Sequence, residues 1–263
     1  MIVCKSAAEL ERMKAACVLV ADLLVELRGM VAPGVTTADL DRYAETQVRQ
    51  RGGVPAFKGY HGYPATLCTS VNEEVIHGIP GPRVLRAGDI VSIDVGVIVD
   101  GFYGDAAVTV PVGEIGERAA ELLRVTEESL YEGIAQAKPG ARVSDIGAAV
   151  QRHVEARGFS VVREFVGHGV GTALHEEPQV PNYGPAVRGP RLAEGMTLAI
   201  EPMVAMGRSA VKVLGDGWTA VTKDRSLSAH FEHTVAVTAG GPLIMTVPSS
   251  PGGLTALGGR GCR

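Results

Sequence analysis

The stretch VLVADLLVEL near the amino terminus is apolar except at Asp22 and Glu26, which predicts an amphipathic helix face and not a membrane span. Further along, DIVSIDVGVIVDGFYGDAAVTV alternates over a period of two on either side of Asp100–Gly101, a pair that fits the centre of a tight turn because both residues tolerate positive φ. If those two residues are the whole loop, Val99 pairs with Phe102, Gly96 lies opposite Asp105, and Asp94 faces Ala107. Both aspartates then share one sheet face as diagonal neighbours, with only a glycine and an alanine opposite to crowd them.

A repeat organises the rest of the chain. APGVTTADLDRYAETQVRQRG at 32–52 realigns with KPGARVSDIGAAVQRHVEARG at 138–158, matching Pro33 to Pro139, Gly34 to Gly140, Asp39 to Asp145 and Gly52 to Gly158. Each copy predicts a helix, a Pro-Gly turn, a capped amphipathic helix closed by glycine, then strands. One residue further in register the repeat aligns His61 with His168 and Asp94 with Glu201, which suggests two similar α+β halves around a shared centre. Asp105 and Glu232 fall outside this register, and an enlarged hairpin carrying Trp218 in the second half accounts for the difference. Helix-turn-helix patterns are generic, so a chance repeat is the alternative.

Composition narrows the class. With 263 residues, 46% hydrophobic and 21% charged, the chain can bury a full core as one large domain or two fused halves. A formal net charge of −4 without a concentrated Lys/Arg run argues against nucleic acid as a partner. The opening MIVCKSAAELERMKAAC carries early charges and no apolar signal core, so no membrane association is expected. Cys4, Cys17, Cys68 and Cys262 lack paired short spacing and read as reduced thiols of a cytoplasmic protein. Residues 248–263, rich in Gly, Pro and Ser, are expected to form a flexible tail after a single catalytic domain at 1–247, whose halves are about 1–110 and 111–247.

The chemistry centres on Asp94, Asp105, His168, Glu201 and Glu232. An unpaired carboxylate among the Ile and Val around Asp94 is costly unless a cation or strong donor neutralises it; solvated charges on an edge hairpin are the alternative. Four carboxylates and one imidazole suit manganese, iron(II), cobalt or zinc, with two ions about 3.5–4 Å apart in sites of this kind. Such a pair lowers the pKa of water and polarises a carbonyl, so hydrolysis of an amide or ester is expected. His77 and His175 sit beside Gly or Pro signals and are placed on loops or strand ends at the rim. Glycines around His168 let backbone pack close to an ion, or mark a simple turn.

Five blocks, GYHGYPATLCTSVNEEVIHGIP, DIVSIDVGVIVDGFYGD, GHGVGTALHEEPQVPNYG, TLAIEPM and SAHFEHTVAVT, occur in an order that resembles the type I methionine aminopeptidases of the short bacterial form. The resemblance implies an α+β pita-bread fold: two pseudo-symmetric halves, an antiparallel β core and helices outside. It implies Asp94, Asp105, His168, Glu201 and Glu232 as ligands of two divalent ions whose bound water attacks the scissile amide, with Glu201 also the general base or proton shuttle. His77 and His175 would contact that amide. Tyr60, Tyr63, Cys68 and Trp218 would line a pocket for the methionine side chain, whose thioether gains from aromatic contact. Phe57 and Leu174 depart from the family form, standing where it has a cysteine and an aromatic residue; they reshape the pocket or serve as ordinary core. Ser92, Val95 and Ser228 resemble the family's site for a monovalent cation, Na or K.

The function so implied is removal of the initiator methionine from nascent chains, with a small residue following it, by a monomer acting near the ribosome. No long amino-terminal domain of the prolidase type is expected. An Xaa-Pro peptidase of the same fold and a non-enzymatic peptide-binding relative remain as rivals.

Overall fold

Helix boundaries follow local chemistry. In the computed structural model, which describes residues 1–250, α1 (Ala7–Met30) starts at Ser6, whose hydroxyl accepts from Glu9 N–H while Glu9 accepts from Ser6 N–H. The same reciprocal cap joins Thr36 and Asp39 at the head of α2 (Thr37–Gln50). Strands β1 (Val54–Pro55), β2 (Leu67–Val71) and β3 (Glu74–Ile76) lead into a long hairpin of β4 (Ile90–Val99) and β5 (Phe102–Pro111). A second pair of helices, α3 (Glu117–Ile134) and α4 (Val143–Glu155), opens the second half. There follow β6 (Ser160–Val161), β7 (Gly167–Gly169), β8 (Glu176–Val180), β9 (Thr197–Ile200), β10 (Met203–Ala205), β11 (Val211–Val213), β12 (Ala220–Thr222), β13 (Ser228–His230), β14 (Glu232–Thr238) and β15 (Gly241–Ile244).

The main sheet runs β1–β4–β5–β14–β9–β7–β8, with β2 also on β4 and β15 on β14, and these pairings are all antiparallel. The β5–β14 pairing joins the halves. The face of α1 formed by Met13, Ala16, Cys17, Val20, Leu23, Leu24 and Leu27 is buried, at helical spacing. Its approach to β5 needs Gly104, where a Cβ would sit 2.7 Å from the backbone of Ala16 and Cys17.

The two halves repeat in backbone detail. Gly34 N–H donates to Leu85 O and Leu85 N–H to Val35 O; Gly140 N–H donates to Leu192 O and Leu192 N–H to Ala141 O. Gly88 and Gly195, at φ of 94° and 85°, each stand two residues before the strands that lead to Asp94 and Glu201, so that part of the sequence alignment is structural. The His61–His168 match is not. His168 lies on β7 opposite Ala199, the counterpart of Ser92, and Ser92 faces Ser70. His61 sits instead in a short 3₁₀ turn, because the chain between α2 and β2 is longer than that between α4 and β7.

The enlarged hairpin of the second half is β10–β13, with the β11–β12 ribbon inserted at its end and Trp218 in the loop between β11 and β12. The start of the expected tail is held rather than free: Ser249 donates from N–H and hydroxyl to the Asp22 carboxylate at 2.8 Å each. The remainder, 251–263, lies outside the described residues, as does Cys262.

Candidate metal centre and substrate pocket

Cross-strand register builds the site. Asp100 and Gly101, at φ of 49° and 76°, form the whole β4–β5 turn. Val99 pairs with Phe102, Gly96 with Asp105, and Asp94 with Ala107, the register expected from the turn chemistry. Ala107 also pairs with Glu232 at the start of β14, so Asp94, Ala107 and Glu232 form one row across three strands. The small central residue leaves space above it for the two flanking carboxylates.

A second row runs through Thr234, Ala199 and His168 on β14, β9 and β7. Thr234 Oγ1 accepts from Asp105 N–H and donates to Asp105 O, which fixes the carboxylate-bearing residue against this row. Glu201 follows β9 directly, and its Oε1 lies 3.5 Å from His168 Nε2.

Three ligand atoms, one each from Asp105, His168 and Glu232, lie within 4.8 Å of one another. Asp94 and Glu201 line the same cavity, of about 410 Å³. The Nδ1 of His168 is 2.9 Å from Gly169 O, which only accepts, so Nδ1 carries the proton and Nε2 presents a bare lone pair towards the carboxylates. Asp94 Oδ1, Asp105 Oδ1 and Glu232 Oε1 are buried with no hydrogen-bond partner. Buried, unpartnered carboxylate oxygens beside an imidazole lone pair are the donor set a divalent cation requires, and without one their burial is expensive.

The electrostatics agree. Burial raises the Asp94 carboxyl to about 7. Burial first, and the neighbouring carboxylates second, hold Asp105, Glu201 and Glu232 well above the usual carboxylate range. His168 is pushed down to about 4 by burial and by His175, so it is neutral at pH 7.

The two loop histidines stand on different walls. His77 directly follows β3 at φ 59°, with its ring edge-on to Phe165 and Trp218, and burial followed by His175 lowers its pKa to about 4. His175 directly precedes β8; its Nδ1 is 2.7 Å from Tyr60 Oη and its ring centroid 4.3 Å from that of His168.

Phe57, Tyr60, Tyr63, Cys68, Leu174 and Trp218 all border the cavity. Tyr63 donates from its hydroxyl to Leu67 O or Gly78 O at 2.9 and 3.0 Å, and its ring meets Trp218 edge-on at 5.1 Å. Phe57 and Leu174 are buried in the cluster that includes Tyr63 and Cys68. Gly96 makes room for the Phe57 ring, since a Cβ there would sit 2.5 Å from Phe57 Cε1.

Ser92 and Val95 lie on β4, and Ser228 lies on β13, a strand that packs against β4. Ser92 and Val95 are three residues apart on β4, so their carbonyls face opposite edges, and β2 and β5 pair both edges there. Ser228 belongs to a different sheet and donates its hydroxyl to Val204 O.

Several neighbours escaped the sequence reading. Glu164 and Phe165 border the cavity, as does His61, which the sequence had aligned with His168. His230 is buried with Nε2 unpartnered, 3.7 Å from Glu201 Oε2. The available signal for His230 was its spacing: two residues before Glu232, it had the period to share that residue's side of the chain.

The sequence pattern of metallopeptidase family M24 matches residues 11–239. The chain is 54% identical over 246 residues to methionine aminopeptidase 1 of Bacillus subtilis, covering 94% of this chain and 99% of the relative. The crystal structure of a methionine aminopeptidase from Thermotoga maritima superposes with a TM-score of 0.93 at 51% identity, over 94% of this chain and all of that one. A prolidase from Pyrococcus horikoshii shares the fold at a TM-score of 0.76 and 21% identity, with 95% of this chain matched to 65% of the prolidase.

Proposed function

The chain belongs to metallopeptidase family M24, and from that membership we propose how its pita-bread scaffold removes an amino-terminal methionine. It is a metal-dependent methionine aminopeptidase, and its substrates are polypeptides that begin with methionine. Asp94, Asp105, His168, Glu201 and Glu232 hold two divalent ions, drawn from manganese, iron(II), cobalt and zinc. The observation that carries this reading is the convergence of unpartnered carboxylate oxygens on the bare Nε2 of His168.

Bound there, the ions supply a water-derived nucleophile near neutral pH and a Lewis acid for the amide carbonyl. The protein's residues do the rest. Glu201, which directly follows β9 and lies 3.5 Å from His168 Nε2, would take up and return the proton that passes to the leaving nitrogen. His77 and His175 contact the scissile amide as neutral donors from opposite walls. Tyr60, Tyr63, Cys68, Trp218, Phe57 and Leu174 enclose the methionine side chain; the Tyr63–Trp218 edge contact offers aromatic surface to the thioether. The filled space at Phe57 and Leu174 favours an unbranched side chain.

A small residue after methionine, monomeric action in the cytoplasm and work on nascent chains near the ribosome complete the proposal. Cys4, Cys17 and Cys68 are free, which suits a reducing compartment. No helix among the described residues is long and apolar enough to cross a membrane. A monovalent cation, Na or K, held near Ser92, Val95 and Ser228 belongs to the same proposal.

The test is hydrolysis of a Met-Ala-Ser peptide by metal-stripped protein, with each ion restored singly and an Xaa-Pro peptide in parallel. Metal-dependent release of methionine is expected. Turnover of the Xaa-Pro peptide alone refutes the assignment of substrate, and no turnover with any ion refutes catalysis.

A further inference from the structure

Lys5 lies far from the reacting groups in sequence yet is almost wholly buried, with 3% of its side chain exposed. Its ammonium meets Glu176 Oε2 at 2.5 Å and also reaches Val3 O at 3.3 Å. Glu176 is the residue after His175. Its other oxygen, Oε1, accepts from Thr172 N–H at 2.7 Å and Ala173 N–H at 3.2 Å, so one carboxylate closes the loop that ends in Leu174 and His175. Two glycines shape the slot for the lysine. A Cβ at Gly171 would collide with Lys5 Cε, and one at Gly195 would stand 2.5 Å from Lys5 O. Lys5 N–H donates to Gly195 O at 2.7 Å, which seats the amino-terminal segment beside the strand leading to Glu201.

A surface pair with this chemistry would contribute little; a buried one whose carboxylate also binds two backbone amides is a positional lock. The locked loop presents His175 to Tyr60 Oη at 2.7 Å and to the His168 ring at 4.3 Å. Remove the lysine and Glu176 keeps a half-buried charge with no cation beside it. It then has reason to turn towards solvent, and in doing so releases Thr172 and Ala173.

We propose that Lys5 is a positioning residue for catalysis, acting through Glu176 to hold the 171–175 loop and thereby set the orientation of His175 towards the scissile amide. The proposal rests on the role given above to His175. Misplacement of a catalytic group by about 1 Å costs up to about a hundredfold in rate, so the expected effect of losing the lock is a fall of about ten- to a hundredfold in kcat. KM is expected to move less than kcat, because, of the pocket walls, only Leu174 belongs to the locked loop, while Tyr63, Cys68 and Trp218 stand on other segments.

The experiment is a double-mutant cycle on full-length, metal-loaded protein with a Met-Ala-Ser peptide: wild type, Lys5→Met, His175→Ala and the double variant, with bound metal counted in each. The expected result is a large kcat loss for Lys5→Met with both metals retained, shrinking to less than about twofold in the His175→Ala background. An equal loss in both backgrounds, or no loss in kcat, overturns the proposal. If His175→Ala alone leaves turnover intact, the reading of His175 fails first, and this inference falls with it by a distinguishable route. Should Lys5→Met not fold, Glu176→Gln enters the same cycle with the same two outcomes.

Discussion

Loading metal into this site should expel protons, because the carboxylates that would hold it are buried together. Asp94, raised to about 7 by burial, is about half protonated at pH 7. Asp105, Glu201 and Glu232, buried and facing one another's charge, are likewise held well above the usual carboxylate range. His168 contributes nothing, because burial keeps it neutral down to about pH 4. Ligation requires every carboxylate to be ionised, so filling both positions at pH 7 is expected to release protons. Each proton released steepens the rise of apparent metal affinity by about tenfold per pH unit. Because the folded pKa values are raised, the release shrinks as pH climbs above them and grows as pH falls towards 6. Titration calorimetry in buffers of different ionisation enthalpy reads the number directly, as the slope of observed heat against buffer heat. A Glu232→Gln variant, which loses one titrating ligand, should release fewer protons and bind metal more weakly. A zero slope for wild type at pH 7 would mean that the carboxylates are already ionised without metal, and would refute the reasoning from burial and mutual repulsion.

Three further perturbations follow from particular contacts. Gly104→Ala drives a Cβ into the α1 backbone at Ala16 and Cys17, where no flexible atom can yield, and is expected to cost about 1–3 kcal/mol or more, read as a lower urea midpoint at unchanged slope. Trp218→Ala removes the partner of the Tyr63 ring and is expected to raise KM for methionyl peptides by about tenfold with both metals still bound; an unchanged KM removes Trp218 from the pocket. His77 has a folded pKa of about 4, below its unfolded value of about 6.5, so its contribution to stability is complete above pH 6.5 and lost as pH falls towards 4. Metal-free His77→Gln should therefore lose less stability than wild type across that window, and equal losses in urea melts at pH 6.5 and 4.5 would contradict the assigned burial effect.

The particular residues show why some features were legible in the sequence and others were not. Register in the β4–β5 hairpin is local: a two-residue turn with positive φ at Asp100 and Gly101 fixes each pairing back to Asp94 and Asp105. The Pro-Gly turns and caps of the repeat are local too, and they reappear in matched backbone hydrogen bonds. His61 misled because alignment by spacing assumes equal connections, whereas the chain before β2 is longer than the chain before β7.

The sequence alone thus determined the two-helix repeat, the alternating hairpin and the residue types capable of holding hard divalent ions, since each depends on turn chemistry, periodicity or ligand chemistry within a short stretch. Only the tertiary structure decided that β14 would bring Glu232 opposite Ala107 in line with Asp94, that Thr234 would tie Asp105 to the row of His168, that His230 would lie near Glu201, and that Lys5 would brace the loop of His175. Those relations join segments distant along the chain, and they arise from strand pairing and from burying charge where a partner stands ready. No local propensity encodes them.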